Sequence, residues 1–184
     1  MEIEKDRELI RVLWDDVESS ISELNEISSA SKDFGFKARS YLRAYASWLE
    51  GGVFLFKKML ANLKGDIHKR LTIESQLYLF NYDWKISNGV PELSYKRIAT
   101  KDNIKAFFKV SAQIFEDYKP DFKSDGWNGL MFFYRLRDRI MHPKEIADLS
   151  LDMEDLKRCE AGREWVKKEL SDIKDCLLRD YKNV

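Results

Sequence analysis

The stretch from Phe36 to about Leu63 places Tyr41, Leu42, Tyr45, Trp48, Leu49, Val53, Phe56, Met59 and Leu60 so that almost no side of a helix is left polar. A helix apolar nearly all round is stable in water only when other elements cover it, so this segment predicts the buried spine of a helical domain. Helix breakers are few, 8 Gly and 3 Pro in 184 residues. An all-β sandwich or barrel needs a turn signal roughly every 8–12 residues, which these cannot supply. At 44% hydrophobic and 35% charged, the chain suits a globular domain with a real core rather than a disordered, collagen-like or disulfide-framed one.

The remaining segments read as helices around that spine. Ile10, Leu13, Trp14, Val17, Ile21 and Leu24 predict an amphipathic helix from about Glu2 to Ile27, followed by a polar connector through Gly35. Lys64-Gly65 is a stop for the spine. Ile73, Leu77, Phe80 and Trp84 predict a shorter third helix, broken at Ser87-Asn-Gly-Val-Pro91, with irregular chain to Thr100. Thr100 is placed as an N-cap ahead of Ile104, Phe107, Phe108, Ser111, Ile114, Phe115 and Tyr118 on one face. Gly126-Trp-Asn-Gly129 opens the next helix, which must stop near Pro143. Asp152, with Asp155 at N3, caps a long last helix marked by Leu156, Cys159, Val166, Leu170, Ile173 and Leu177. The expectation is an all-α fold, a single up-and-down bundle of five to six helices over residues 1–184. Its core lies at about 36–170, with helix 2–27 packed on it.

No run reaches the roughly 20 apolar residues that span a bilayer, and the acidic start lacks the layout of a secretion signal. A cytoplasmic protein without membrane attachment is expected. Cys159 and Cys176 fall on one helix, roughly 25 Å apart, so both are expected as free thiols. The zero net charge hides a segregation: minus 6 over residues 1–26, plus 9 over 27–144 and minus 3 over 145–184.

Phosphate-binding glycine loops, nucleophile elbows and the zinc-protease helix motif are all missing. With His68 and His142 the only histidines, one chain cannot build a multi-histidine metal centre; a carboxylate-rich one stays open. Tyr134-Arg-Leu-Arg-Asp-Arg-Ile-Met-His-Pro-Lys144 stands out. At 100° per residue, Leu130, Phe133, Tyr134, Ile140 and Met141 spread around Arg137, which puts Arg137 on the buried side and Arg135 and Arg139 on the wetter one. An arginine keeps its proton, so at an apolar site it needs a carboxylate or a phosphate. Glu50, on the most apolar helix and within about 40° of Arg39 and Arg43, is the candidate partner of Arg137 or Arg43. Pro143 frees His142 from strict helical geometry, and Arg135, Arg137, Arg139 and Lys144 outnumber Asp138 around it, a neighbourhood that attracts phosphate.

Arg137-Asp-Arg-Ile-Met-His142 resembles the R-x4-6-H motif of the HEPN superfamily of helical RNA- and nucleotide-handling domains. The Gly126-Trp-Asn context, the Asp-rich stretch after Lys144 and Trp165 are similar to bacterial HEPN-like proteins, over about residues 36–170. The resemblance implies a helical domain, often dimeric, in which many members cleave RNA without a metal in toxin-antitoxin and other defence systems. It implies Arg137 and His142 as the site pair, with Asp138 where Asn is common. Lys144 departs from the Tyr of some toxin members.

The expected activity is RNA binding with metal-independent endoribonuclease chemistry. His142 serves as general base or acid, Arg137 as phosphate stabiliser and Asp138 or Glu50 as orienter. Arg43, Arg135, Arg139 and Lys144 are expected as phosphate contacts. No cofactor is called for. The expected partners are a second copy, RNA, and an antitoxin or defence protein. A non-catalytic dimerisation or interaction module and a nucleotide-binding regulatory subunit are the alternatives.

Overall fold

A computed structural model of the chain describes residues 2–63, 70–96 and 98–182; the Lys64-Gly65 stop and His68 lie outside them. The described residues form α1 (Glu2–Asn25), α2 (Phe34–Ala61), α3 (Ile73–Leu79), β1 (Tyr82–Ser87), β2 (Val90–Tyr95), α4 (Thr100–Ile114), α5 (Asp125–Met141), a 3-10 turn (Ile146–Leu149) and α6 (Met153–Lys182). The expected all-α class holds, with one small antiparallel hairpin added. Contacts group the chain into two compact units, residues 1–52 with 121–168, and residues 53–120 with 169–184.

In the first unit α1 lies on α2. Trp14 meets Trp48 with ring centroids 5.0 Å apart, and Val17 is fully buried. Tyr45 of α2 meets the edge of Phe133 of α5 at 4.7 Å. The phenols of Tyr41, Tyr45 and Tyr134 are buried without a hydrogen-bond partner, and burial pushes all three pKa values well up. At the start of α5, Ser124 is the N-cap, its hydroxyl accepting from the Trp127 N–H. Gly126 and Gly129 follow it inside the helix, and their role is packing. A Cβ on Gly129 would stand 2.6 Å from the Arg158 carbonyl, and one on Gly162 of α6 would stand 2.5 Å from the Leu130 nitrogen. The two helices therefore cross backbone against backbone. Asp152 caps α6 as expected, accepting from the Asp155 N–H at 2.8 Å.

In the second unit the hairpin replaces the irregular chain expected after Trp84, and Trp84 itself sits in β1 rather than on a helix. The reason is local: Asn88 and Gly89 both take positive φ, 51° and 78°, as a two-residue hairpin turn of type I′ demands. Helix α4 ends at Ile114, earlier than its apolar spacing suggested. Phe115 turns extended, and Phe115 and Tyr118 are buried from the loop. Thr100 is the first helical residue and Ala99 the cap.

Lys57 of α2 is only 1% exposed and pairs with no carboxylate among the described residues. Its ammonium donates to Asn81 Oδ1 at 2.5 Å and Asn103 Oδ1 at 3.3 Å and lies 3.7 Å from the centre of the Tyr78 ring. Burial pushes its pKa down to about 8. Glu169, 2% exposed, accepts the Tyr118 hydroxyl at 2.8 Å. Cys159 and Cys176 are both free and buried on α6; burial drives the Cys159 thiol up to about 12, which makes it inert.

Two tests follow from this packing. Gly162→Ala should destabilise by about 2 kcal/mol, because backbone rather than a flexible side chain stands in the way. Gly52→Ala, whose Cβ would meet only Ile10 Cδ1 at 3.8 Å, should be neutral or stabilising by about 0.5–1 kcal/mol from helix propensity; urea denaturation measures both. The folded state holds the Lys57 proton less tightly than the unfolded chain. Unfolding free energy of the wild type should thus rise relative to Lys57→Met between pH 8 and 10, on the order of 1 kcal/mol.

Candidate functional site

Helix α5 carries the Arg137 to His142 segment at its C-terminal end, within the first unit. Arg137 is 23% exposed and bridges two acids: Nη2 stands 3.2 Å from Glu50 Oε1, and Nη1 stands 3.2 Å from Asp138 Oδ1. Of the two pairings open to Glu50, the structure makes the one with Arg137. The guanidinium is thus fixed from both sides, as a half-buried arginine requires.

His142 is the C-cap of α5, with φ −131° and ψ 56°, its backbone N–H donating to the Asp138 carbonyl at 3.1 Å. Its imidazole is exposed and makes no hydrogen bond or ion pair with a described residue; it does not turn onto Arg137. Arg43 and Arg135 are exposed and have no acidic partner among the described residues, while Lys144, also exposed, acts through its charge on Asp148. Arg135 lies 5.9 Å from the Phe132 ring centre, and Arg158 of α6 covers the same ring at 3.9 Å. Arg139 behaves differently, with Nη2 donating to the Ser150 carbonyl at 2.7 Å and lying 3.7 Å from Asp155 Oδ2. It holds protein as well as facing water.

Arg139 is one of several groups that pin the loop after His142. Arg39 donates to the Leu149 carbonyl at 2.9 Å, and Asp148 accepts from the backbone N–H of Lys144 at 2.7 Å and of Glu145 at 3.3 Å. The Lys144 hydrogen bond, foremost, lowers the Asp148 pKa. Sequence reasoning missed Arg39, Asp148 and Arg158 in these roles. Arg158 is recoverable from the sequence, since it precedes buried Cys159 on the exposed side of α6; the carbonyl partners of Arg39 and Arg139 carry no residue-type signal.

The acidic α1 docks beside this region, with Leu13 Cδ1 against the α carbon side of Gly51, one residue from Glu50. Of its acids, Glu8 pairs with Arg11 and Glu23 with Lys37. Among the described residues no three His, Cys, Asp or Glu side chains converge as metal ligands do, and no helix is long and apolar enough to cross a membrane.

Chemically, the site offers a fixed cation, a solvent-facing imidazole five residues on, and loose cations around them. The loop that carries Lys144 should respond to acid. The Lys144 amide resonance is expected to titrate with a midpoint below 3.8, the bond lost as pH falls through the depressed Asp148 pKa, and to stop titrating in Asp148→Asn; a midpoint at or above 3.8 contradicts the capping role. No family model matches this chain, and no match is found among curated proteins or solved structures.

Proposed function

We propose that the chain is a cytoplasmic HEPN-like RNA-binding protein that cleaves RNA without a metal, in a defence or toxin-antitoxin setting. The observation that carries this reading is the pairing, on one helix end, of an arginine clamped by Glu50 and Asp138 with a solvent-facing His142. A cation held in advance stabilises a phosphorane without reorganising as charge develops. An exposed imidazole is the side chain suited to moving a proton near neutral pH.

In the proposed reaction the ribose 2′-oxygen attacks the adjacent phosphorus, and the bond to the 5′-oxygen breaks. The products are a 2′,3′-cyclic phosphate and a 5′-hydroxyl. His142 takes the 2′-hydroxyl proton, Arg137 meets the phosphorane oxygens, and the leaving 5′-oxygen needs a proton from an acid. One chain has a single such imidazole at this helix end, so the reading calls for a second copy whose His142 supplies that proton. Arg43, Arg135, Arg139 and Lys144 contact the RNA backbone, which makes binding salt-dependent.

A second reading rests on the same ion pairs. Two carboxylates beside Arg137 offset its charge, which is what a structural arginine in a non-catalytic interaction module requires. Cleavage of single-stranded RNA with chelator present separates the two. His142→Ala and Arg137→Ala are each expected to lower the rate about 100-fold or more with the fold intact. Equal rates in wild type and both variants, together with a lower melting temperature for Arg137→Ala, would establish the interaction module instead.

A further inference from the structure

The hairpin of the second unit sorts its side chains by face. Tyr82 stands opposite Tyr95, Trp84 opposite Leu93 and Ile86 opposite Pro91, while Asp83, Lys85, Ser87, Val90, Glu92 and Ser94 share the other side. The first six are all apolar or aromatic, and all are exposed: Tyr82 44%, Trp84 55%, Leu93 50%, Ile86 71% and Tyr95 72%, with Pro91 likewise open to solvent. In an ordinary half-buried hairpin the apolar face is the covered one. Here it is the face turned to water.

We propose that this face is a self-association surface, on which two copies of the chain pack hairpin against hairpin. Three considerations select a second copy as the occupant. The first is area. An aromatic side chain buries about 150–250 Å², so six side chains roughly half exposed offer on the order of 500–600 Å² of apolar surface. Two such faces together remove about 1,000–1,200 Å² from water, above the roughly 1,000 Å² floor of a biological interface and in the range of weak, concentration-dependent association.

The second is charge. Among the described residues the strands' apolar face holds no Lys, Arg, Asp or Glu, and Lys85 and Lys96 belong to the other side. Lys85 pairs with Glu92 at 3.4 Å, and Lys96, just past β2, pairs with Asp83 at 2.5 Å. Among the described hairpin residues a phosphate backbone or an anionic lipid surface finds no cation on this face, whereas an identical neutral face meets no repulsion.

The third is shape under symmetry. A two-fold axis across the strands at the Trp84–Leu93 pair lays the tyrosine end of one copy over the Ile86–Pro91 end of the other, aromatic on aliphatic, as an isologous contact requires. An isolated two-stranded hairpin is marginal in water, and stacking gives it the second layer it lacks.

The proposal goes beyond the ribonuclease reading, which also calls for a second copy: here association depends on Trp84 and Leu93, whereas cleavage depends on His142 and Arg137. Light scattering on the full chain from about 1 to 200 μM is expected to show a rise from 21.8 kDa toward twice that mass. Trp84→Glu and, independently, Leu93→Glu should weaken association at least about tenfold, with helical circular dichroism unchanged. Val90→Glu, on the polar side, should leave it intact. A wild type that stays at 21.8 kDa at the highest concentration overturns the proposal. So does a dimer equally strong in both face variants, and so does a monomer that sediments with lipid vesicles or binds single-stranded RNA through Trp84.

Discussion

The arrangement of the first unit hangs on the backbone crossing of α5 and α6. With glycine at 129 and 162 the helices meet without intervening side chains, and a single Cβ at either position would enter the other backbone. Once that contact is made, α5 is located at three levels along its length. Trp127 meets Trp165 at 5.3 Å near the start, Phe133 meets Tyr45 at 4.7 Å in the middle, and Arg137 meets Glu50 near the end. The candidate site is thus the far end of an element whose position is set by glycines two turns earlier.

Both units bury polar groups, and they satisfy them differently. In the second unit Lys57 is surrounded by amide oxygens and an aromatic face, a neutral solvation shell that leaves the charge costly and lowers its pKa. The benefit is geometric, since one ammonium ties α2 to Asn81, at the α3 to hairpin corner, and to Asn103 of α4. In the first unit the phenols of Tyr41, Tyr45 and Tyr134 are buried with no hydrogen-bond partner among the described residues, and their rings pack in the core. Arg137, by contrast, keeps two carboxylates and partial contact with water.

Much of this was readable in advance. Helical rotation narrowed the partner of Glu50, the one acid on the most apolar helix, to Arg137 or Arg43, and the structure takes Arg137. The buried faces of α4 and α6 followed from spacing alone, Ile104 to Ile114 and Leu156 to Leu177. Lys57 was not singled out from the sequence, although it lies four residues from Val53 and three from Leu60 on the covered side of α2. The hairpin carried its signal in Asn88-Gly89 between alternating residues, which the helical spacing of Ile73, Leu77, Phe80 and Trp84 outweighed. His142 could not be oriented from sequence, since Pro143 ends the periodicity on which such arithmetic depends. Nor could the loop beyond it, because Arg39 and Arg139 bind carbonyl oxygens that every residue possesses.

By itself the sequence determined the helical class, the covered faces of α4 and α6, the cap at Asp152 and the segregation of basic from acidic segments, while Met59 and Met141, expected on covered faces, are exposed. These are local or periodic properties, written in side-chain type and spacing. Tertiary structure decided which helices touch through glycine, that Arg137 is held by two acids while His142 faces water, and that the hairpin turns its apolar side outward. Each of those depends on groups far apart in the chain meeting in space, and no local pattern encodes that distance.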